Sequence, residues 1–126
     1  PMDPQLAEDI YVLDRCVECG CCIAGCGTVR IRPDFVGGVG INKIARFRLD
    51  PRDTRNDADY YDIVGDESGV FGCMSLLACH DFCPKELPLK TQIAFIRRKM
   101  AEQGMRGYDK VLPTQKKAIP IKSARQ

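Results

Sequence analysis

Apolar residues recur at helical spacing along most of this 126-residue chain, whereas alternating strand patterns are almost absent. Near the start, Leu6, Ile10 and Leu13 lie three or four residues apart, which is the spacing of one face of a helix. Asp3 followed by Pro4 is typical of the cap and the first position of such a helix. The pattern therefore predicts an all-α domain whose first helix begins at Pro4.

Further segments combine helical spacing with a glycine or proline stop signal. We expect helices over residues 23–30, 37–48 and 57–64, a helical turn over residues 72–78, and a last helix over residues 88–104. The last helix is the clearest, because its apolar residues from Leu89 to Met100 form one stripe and Gly104 follows as a stop signal.

The length and mass, 126 residues and 14.1 kDa, are those of one small domain. We expect the chain to divide into a helical domain, residues 1–104, and a basic tail, residues 105–126. Pro113 and Pro120 interrupt the tail, so we expect it to be extended and to order only against a partner.

Charge is unevenly distributed, although the net charge is only +2 and argues against a nucleic-acid binder. The charged residues between positions 50 and 67 are mostly acidic, and those of the tail are mostly basic. Each stretch is either a solvated surface or a docking surface, for a partner protein or, in the case of the tail, for anionic lipid headgroups.

No apolar run approaches the roughly 18 residues that span a bilayer, and the N-terminus has no secretory signal pattern. We therefore expect a soluble or peripheral chain. Cysteines that are kept as free thiols would also indicate a reducing compartment.

Seven of the eight cysteines form two runs of nearly the same spacing. The runs are Cys16-x2-Cys19-x2-Cys22-x3-Cys26 and Cys73-x2-Leu76-x2-Cys79-x3-Cys83. In two-cluster ferredoxins with this spacing, three cysteines of a run bind one iron–sulfur cluster and the fourth binds the other. Residues 16–22 should then form a loop, because closely spaced thiolates surround a cluster only if the backbone curls around it.

The crossed arrangement gives one cluster four thiolates and the other only three. Cys16, Cys19, Cys22 and Cys83 form the first set, which is the complement of a [4Fe–4S] cluster, and Cys26, Cys73 and Cys79 form the second. Leu76 occupies the position of the missing thiolate, and its hydrocarbon side chain has no lone pair for a metal. We therefore predict a [3Fe–4S] cluster in the second site and hypothesise that its reduction potential is the higher of the two.

Three other interpretations of the cysteines remain open. A disulfide framework suits the adjacent Cys21 and Cys22 poorly. Structural zinc also accepts four thiolates, although the x3 steps fit a cluster better. Two [4Fe–4S] clusters would need an outside ligand in place of Leu76. With metal bound, ligation should cross-link the chain, so we expect the metal-free protein to be largely disordered.

Residues beside the seven thiolates have less specific roles. We expect Cys21 to be a buried small hydrophobe and His80 to make hydrogen bonds at the surface or to a sulfur. Met74, Leu76 and Leu77 are expected to form a dry wall that excludes water from the second site.

Three segments together are characteristic: CVECGCCIAGCG (residues 16–27), DFVGGVGINKIARFRLDPRD (residues 34–53) and GVFGCMSLLACHDFCPKELPL (residues 69–89). On them the chain resembles the C-terminal α-helical ferredoxin domain of the iron–sulfur subunit of fumarate reductases and succinate dehydrogenases, with most similarity to the menaquinol-linked fumarate reductases. The resemblance implies the same two cofactors, [4Fe–4S] and [3Fe–4S].

The resemblance also implies an electron path. In that family electrons pass between a membrane-anchor subunit that binds quinone, the [3Fe–4S] and [4Fe–4S] clusters, a [2Fe–2S] cluster in a separate N-terminal domain, and a flavoprotein subunit that interconverts fumarate and succinate. This chain would be the membrane-proximal half of the relay, without a substrate site of its own. It would be peripheral on the cytoplasmic side of a bacterial inner membrane.

Some positions depart from the family pattern. Gly27 follows Cys26 where many relatives have proline, and Ile31 and Met74 stand near positions where ubiquinone-linked relatives have tryptophan and histidine. These differences argue against ubiquinone. The alternative function is a free-standing two-cluster carrier, or a module of another reductase that resembles heterodisulfide reductase.

Overall fold

The computed structural model describes residues 1–111, with the side chains of residues 1–106. Seven α-helices follow one another, together with a 3₁₀ turn at Val70–Gly72, and the described residues form no strand. The helices are α1 Pro4–Asp14, α2 Cys21–Ala24, α3 Gly27–Ile31, α4 Gly37–Leu49, α5 Asp57–Val64, α6 Ala78–Phe82 and α7 Leu89–Val111. The predicted all-α class is confirmed for this part of the chain.

Capping side chains mark the starts of α1 and α5, and the start of α1 at Asp3 and Pro4 is as predicted. The Asp3 carboxylate accepts a hydrogen bond from the Leu6 amide at 3.2 Å, with Pro4 in the first turn of α1. At α5 the Asn56 side chain accepts from the Asp59 amide at 3.0 Å, while the Asp59 carboxylate accepts from the Asn56 amide at 2.9 Å. These contacts satisfy amides that have no partner within a helix. The helix predicted to begin at Pro4 is confirmed, and those predicted over residues 37–48 and 57–64 are confirmed to within one residue.

Two predicted elements near the cysteines are wrong. The segment 23–30 is two short helices rather than one, because Cys26 between α2 and α3 is extended, with φ −84° and ψ 116°. The segment 72–78 is not helical, because Ser75 and Leu77 have φ values of 58° and 61°, which no right-handed helix accepts. The loop predicted for residues 16–22 ends at Gly20, since α2 begins at Cys21.

The last helix is longer than predicted. It continues through Gly104 to Val111. A β-carbon at Gly104 would lie 3.3 Å from the Tyr61 ring, so this glycine allows α5 to pack closely against α7 and does not end the helix. The division of the chain at residue 104 stays a prediction, and residues 112–126 of the tail lie outside the described residues.

The hydrophobic core lies where α7 packs against α4 and α5. Ile96 and Met100 of α7 are completely buried, as is Ala45 of α4. Ile41 of α4 and Tyr60 of α5 are 1% exposed. This core holds α4 and α7 in place, and both helices also contribute residues to the cysteine-lined cavities described below.

A chain of ion pairs joins α1, α4 and the turn after α4. Arg46 donates to Asp14 at 2.8 Å and to Asp50 at 2.7 Å. Asp50, which is 7% exposed, also accepts from the Arg52 guanidinium at 2.7 Å and the Arg52 amide at 2.9 Å. The hydrogen bonds from Arg52, and then that from Arg46, hold the pKa of the Asp50 carboxyl well below its ordinary value.

Replacing Asp50 by asparagine should lower the stability of the fold at neutral pH, because the amide cannot pair with the two guanidinium groups. A lowered pKa contributes stability above the unfolded value of about 4, and this contribution disappears as the pH falls toward the folded value. The difference between wild type and Asp50→Asn should therefore narrow only below about pH 4. Urea unfolding followed by circular dichroism, at a series of pH values, measures this difference.

The control is Asp62→Asn, because Asp62 is exposed on α5. Acid affects the rest of the protein equally in this variant and in Asp50→Asn. A difference between wild type and Asp50→Asn that is absent at pH 7, or that already narrows between pH 7 and pH 5, would contradict the assignment.

No helix within residues 1–111 combines the length and the apolar character that crossing a membrane requires.

Candidate iron–sulfur cluster sites

Two neighbouring cavities open among the cysteines. The first has a volume of about 380 Å³ including its open mouth, and the second about 340 Å³. Four cysteines line the first: Cys16, Cys19, Cys22 and Cys83. Three cysteines and a leucine line the second: Cys26, Cys73, Cys79 and Leu76. The structure therefore brings each predicted set of thiols to a cavity of its own.

Both runs cross between the cavities. Cys26 ends the first run but lies at the second cavity. Cys26 is itself the extended residue between α2 and α3, and its conformation turns the chain away from the first cavity. Cys83 ends the second run but lies at the first cavity, directly after α6. The two short helices that lead to these cysteines, α2 and α6, pack against each other. This packing brings the fourth cysteine of each run to the other site.

The loop around the first cavity depends on two residues in the left-handed region. Glu18 has a φ of 56° and Gly20 a φ of 81°. Such turns let a short segment curl so that closely spaced side chains point to one side. Glu18 also forms an ion pair with Lys43 of α4 at 2.7 Å, which fastens the loop to that helix.

The second cavity is bounded by the segment between the 3₁₀ turn and α6. Ser75 and Leu77 are left-handed in this segment, and the Ser75 amide lies 3.4 Å from the Cys73 sulfur as a hydrogen-bond donor. Leu76 lies between them and contributes to the cavity lining. Its side chain reaches to 2.9 Å from the position that a β-carbon of Gly27 would take.

Gly38 on α4 separates the two cavities. A β-carbon there would lie 3.2 Å from the Cys79 β-carbon and 3.3 Å from the Cys22 β-carbon, which is tighter than ordinary packing. Cys22 belongs to the first cavity and Cys79 to the second. The lack of a side chain at this position therefore lets two cysteines of different sites pack closely against α4.

Burial raises the pKa of the Cys22 and Cys79 thiols, while hydrogen bonds from the Val39 and His80 amides oppose the shift. Burial destabilises a thiolate that has no metal beside it, whereas amide donors stabilise the charged form. Iron binds the thiolate, so binding at these two residues would be coupled to loss of the proton. Both cavities thus present sulfur donors, half-buried at Cys22 and buried at Cys79, together with backbone N–H groups, which is a donor set suited to an iron–sulfur cluster.

Two predictions for residues beside the thiols are wrong. Cys21 is exposed rather than buried, because it begins α2 on the outside of the loop. A hydrogen bond with the Cys19 thiol raises the pKa of Cys21. Met74 and Leu76 are 51% and 65% exposed, so in this chain they do not form the predicted dry wall.

Other residues at the cavities were not singled out by sequence reasoning. Asn42 is completely buried beside the first cavity, where its amide donates to the Leu13 carbonyl at 3.1 Å, so that α1 and α4 are joined at that cavity. Thr28 and Phe35 are buried beside the second cavity. Thr28 lies on α3 and Phe35 in the loop before α4, and neither residue type carried a sequence signal of a site. His80 is half-buried, and no hydrogen bond to its Nδ1 atom is formed within the described residues.

The chain is similar in sequence to known proteins. A family model described as a 4Fe-4S dicluster domain matches residues 12–87, which is more than half of the chain. The fumarate reductase iron-sulfur subunit of Wolinella succinogenes is 60% identical over 99 residues, which cover 79% of this chain and 41% of that protein.

Two other relatives are more distant. The succinate dehydrogenase iron-sulfur subunit of Bacillus subtilis is 30% identical over 98 residues, covering 78% of this chain and 39% of that protein. A fumarate reductase (CoM/CoB) subunit of Methanothermobacter marburgensis is 32% identical over 84 residues, covering 67% of this chain and 16% of that protein. The chain thus spans less than half the length of these curated relatives.

The family match extends over both cysteine runs and over α4 between them, which together form the two cavities. With this match and the two sulfur-lined cavities, the chain belongs to the 4Fe-4S dicluster domain family and is an iron–sulfur protein.

Proposed function

We propose that this chain holds two unlike clusters and carries single electrons between them. The first cavity would bind a [4Fe–4S] cluster through Cys16, Cys19, Cys22 and Cys83, and the second a [3Fe–4S] cluster through Cys26, Cys73 and Cys79. The observation that carries the proposal is the pair of adjacent cavities, one lined by four thiols and the other by three thiols and Leu76.

The contents of the second cavity support a three-iron cluster. Leu76 offers no lone pair at the position of the missing cysteine. Ser75, which also lines this cavity, already donates its amide to the Cys73 sulfur. The family name refers to two four-iron clusters, and a second such cluster in this chain would need a ligand from outside these residues.

We further propose that the chain is the membrane-proximal part of the iron–sulfur subunit of a quinol:fumarate reductase or succinate dehydrogenase. Bound clusters would supply one-electron redox chemistry. The chain itself supplies the thiolate ligands, a largely apolar surround and the amide donors at the sulfurs. The names of the Wolinella and Bacillus relatives support this assignment.

The partners in such a complex would be a flavoprotein subunit, an N-terminal [2Fe–2S] domain or subunit, and a membrane-anchor subunit that binds quinone. Met74 and Leu76, on the segment that bounds the second cavity, are 51% and 65% exposed, which supports a partner that covers these apolar side chains. Through the anchor subunit the chain would be peripheral on the cytoplasmic side of a bacterial inner membrane.

The alternative is a free-standing carrier or a module of another reductase. The relative whose name includes CoM/CoB is consistent with such a module. Leu76 argues against it, since a module of that kind would be expected to keep its second cysteine run complete. Co-purification decides between the two: a flavoprotein and a membrane subunit in the same complex support the proposed function, and a chain that purifies alone contradicts it.

Iron analysis and electron paramagnetic resonance (EPR) test the cluster assignment directly. Protein purified without oxygen should contain seven irons per chain, from one four-iron and one three-iron cluster. After oxidation it should show the nearly isotropic signal of a three-iron cluster. Eight irons without that signal, or no iron, would overturn the assignment.

Two neighbouring cysteines should differ sharply when each is replaced by serine. Cys19→Ser should deplete the four-iron cluster and leave the three-iron signal, because Cys19 lines only the first cavity. Cys21→Ser should leave both clusters in place, because the exposed Cys21 lines neither cavity. Iron content and EPR of the reduced and oxidised proteins provide the comparison. Equal losses from the two variants would show that Cys21 is also a ligand.

A further inference from the structure

Arg97 extends from α7 to the segment that carries Cys73. Its guanidinium donates to the Cys73 carbonyl at 2.6 Å and to the Ser75 hydroxyl at 3.0 Å, and reaches the Val70 carbonyl at 3.5 Å. The planar guanidinium has five N–H donors in a fixed arrangement, so one side chain holds three acceptors at once. One half-buried arginine therefore connects α7 to both sides of Cys73.

The segment held by Arg97 has an unfavourable backbone. Ser75 and Leu77 both have positive φ values, 58° and 61°, and neither is a glycine. Such conformations cost free energy and persist only when the surrounding structure fixes them. The hydrogen bonds from Arg97 to Cys73 and Ser75 hold this backbone in place.

The shape of this segment also determines a hydrogen bond to sulfur. The Ser75 amide lies 3.4 Å from the Cys73 sulfur because the chain turns back at Ser75. Hydrogen bonds to ligand sulfurs and nearby positive charge both stabilise the more negative, reduced state of a cluster. Arg97 contributes a positive charge and maintains the backbone that provides the amide donor.

We propose that Arg97 is a positioning residue for the second cluster site: it fixes residues 73–75 and thereby raises the reduction potential of the cluster held there. This inference rests on the proposed cluster assignment. It concerns only the second site, because the residues that Arg97 contacts lie beside Cys73 and not beside the ligands of the first cavity.

The adjacent Arg98 offers a matched control. It has the same charge on the same helix, but its side chain is 67% exposed and pairs with Glu102 at 3.9 Å. A substitution at Arg98 thus removes one positive charge from α7 without removing a contact to the segment of Cys73.

The test compares Arg97→Gln, Arg97→Lys and Arg98→Gln in the full chain purified without oxygen. Redox titrations followed by EPR give the midpoint potentials of both clusters. We expect Arg97→Gln to lower the potential of the three-iron cluster and to change the shape of its EPR signal, with no shift at the four-iron cluster. Arg97→Lys keeps the charge but cannot reach all three acceptors, so its potential should lie between those of Arg97→Gln and wild type. Arg98→Gln should match wild type at both clusters.

Loss of the three-iron cluster alone in Arg97→Gln would also support the proposal, since the four-iron cluster would report an intact fold. If Arg97→Gln loses both clusters, the Arg97→Lys variant provides the test. A three-iron potential in Arg97→Lys equal to that of wild type would then overturn the proposal. A three-iron potential in Arg97→Gln equal to that in Arg98→Gln would overturn it as well. Failure of the cluster assignment itself would be recognised separately, as the absence of a three-iron signal in the wild-type protein.

Discussion

Replacing Leu76 by cysteine should convert the second site from three irons to four. Leu76 lines the second cavity beside Cys73 and Cys79, at the position where the first run has a cysteine. A sulfur there would supply the missing ligand for the fourth iron. The iron content should rise from seven to eight per chain, the three-iron EPR signal of the oxidised protein should disappear, and the potential of the second site should fall.

The matched control is Leu76→Ala, which shortens the side chain but adds no donor. This variant should keep seven irons and the three-iron signal. Because Leu76 is 65% exposed, neither substitution removes a core side chain, and both proteins should fold. A Leu76→Cys protein that keeps its three-iron signal at full intensity would contradict the assigned position of the missing ligand.

A larger residue at Gly38 should disrupt both sites together. The β-carbon of alanine would already lie 3.2 Å and 3.3 Å from the β-carbons of Cys79 and Cys22, so these cysteines would have to move by a few tenths of an ångström. Valine adds two methyl groups to the same contact. Overpacking of this kind typically costs about 1–3 kcal/mol. We expect Gly38→Ala to retain both clusters with lower stability, and Gly38→Val to lose iron from both.

The control for this series is Gly104→Ala, in α7. Its added β-carbon would meet the Tyr61 ring at 3.3 Å and no cysteine, and alanine favours a helix over glycine by about 1 kcal/mol. Iron content and the urea midpoint of the purified proteins separate the two effects. Loss of only one cluster in Gly38→Val would show that Gly38 does not separate the two sites as proposed.

The elements that could be predicted are those whose signals are local. The Asp3 cap, which predicted the start of α1, satisfies an amide within three residues, and the end of α5 at Val64 was predicted from the adjacent Gly65. The grouping of the thiols also followed from sequence, because cluster ligation restricts the spacing of cysteines more strongly than helix propensity restricts a segment.

The elements that could not be predicted depend on contacts between distant residues. The extended Cys26 breaks the helix predicted over residues 23–30, and this break brings Cys26 to the second cavity beside Cys73 and Cys79. Gly104 has the sequence signature of a stop, yet the Tyr61 ring 43 residues earlier in the chain explains why a glycine lies inside α7. The spacing of one segment contains no information on such contacts.

By itself, the sequence determined that this protein is helical, that seven of its thiols divide into four and three, and that Leu76 stands where the first run has a cysteine. These properties depend on residue type and spacing along one segment. Only the tertiary structure decided that Gly38 lies between the two sites, that Cys21 faces solvent, and that Arg97 holds the backbone of Cys73. Each of these depends on the packing of helices that are far apart in the chain, since a side chain's neighbours are fixed only when separate helices meet.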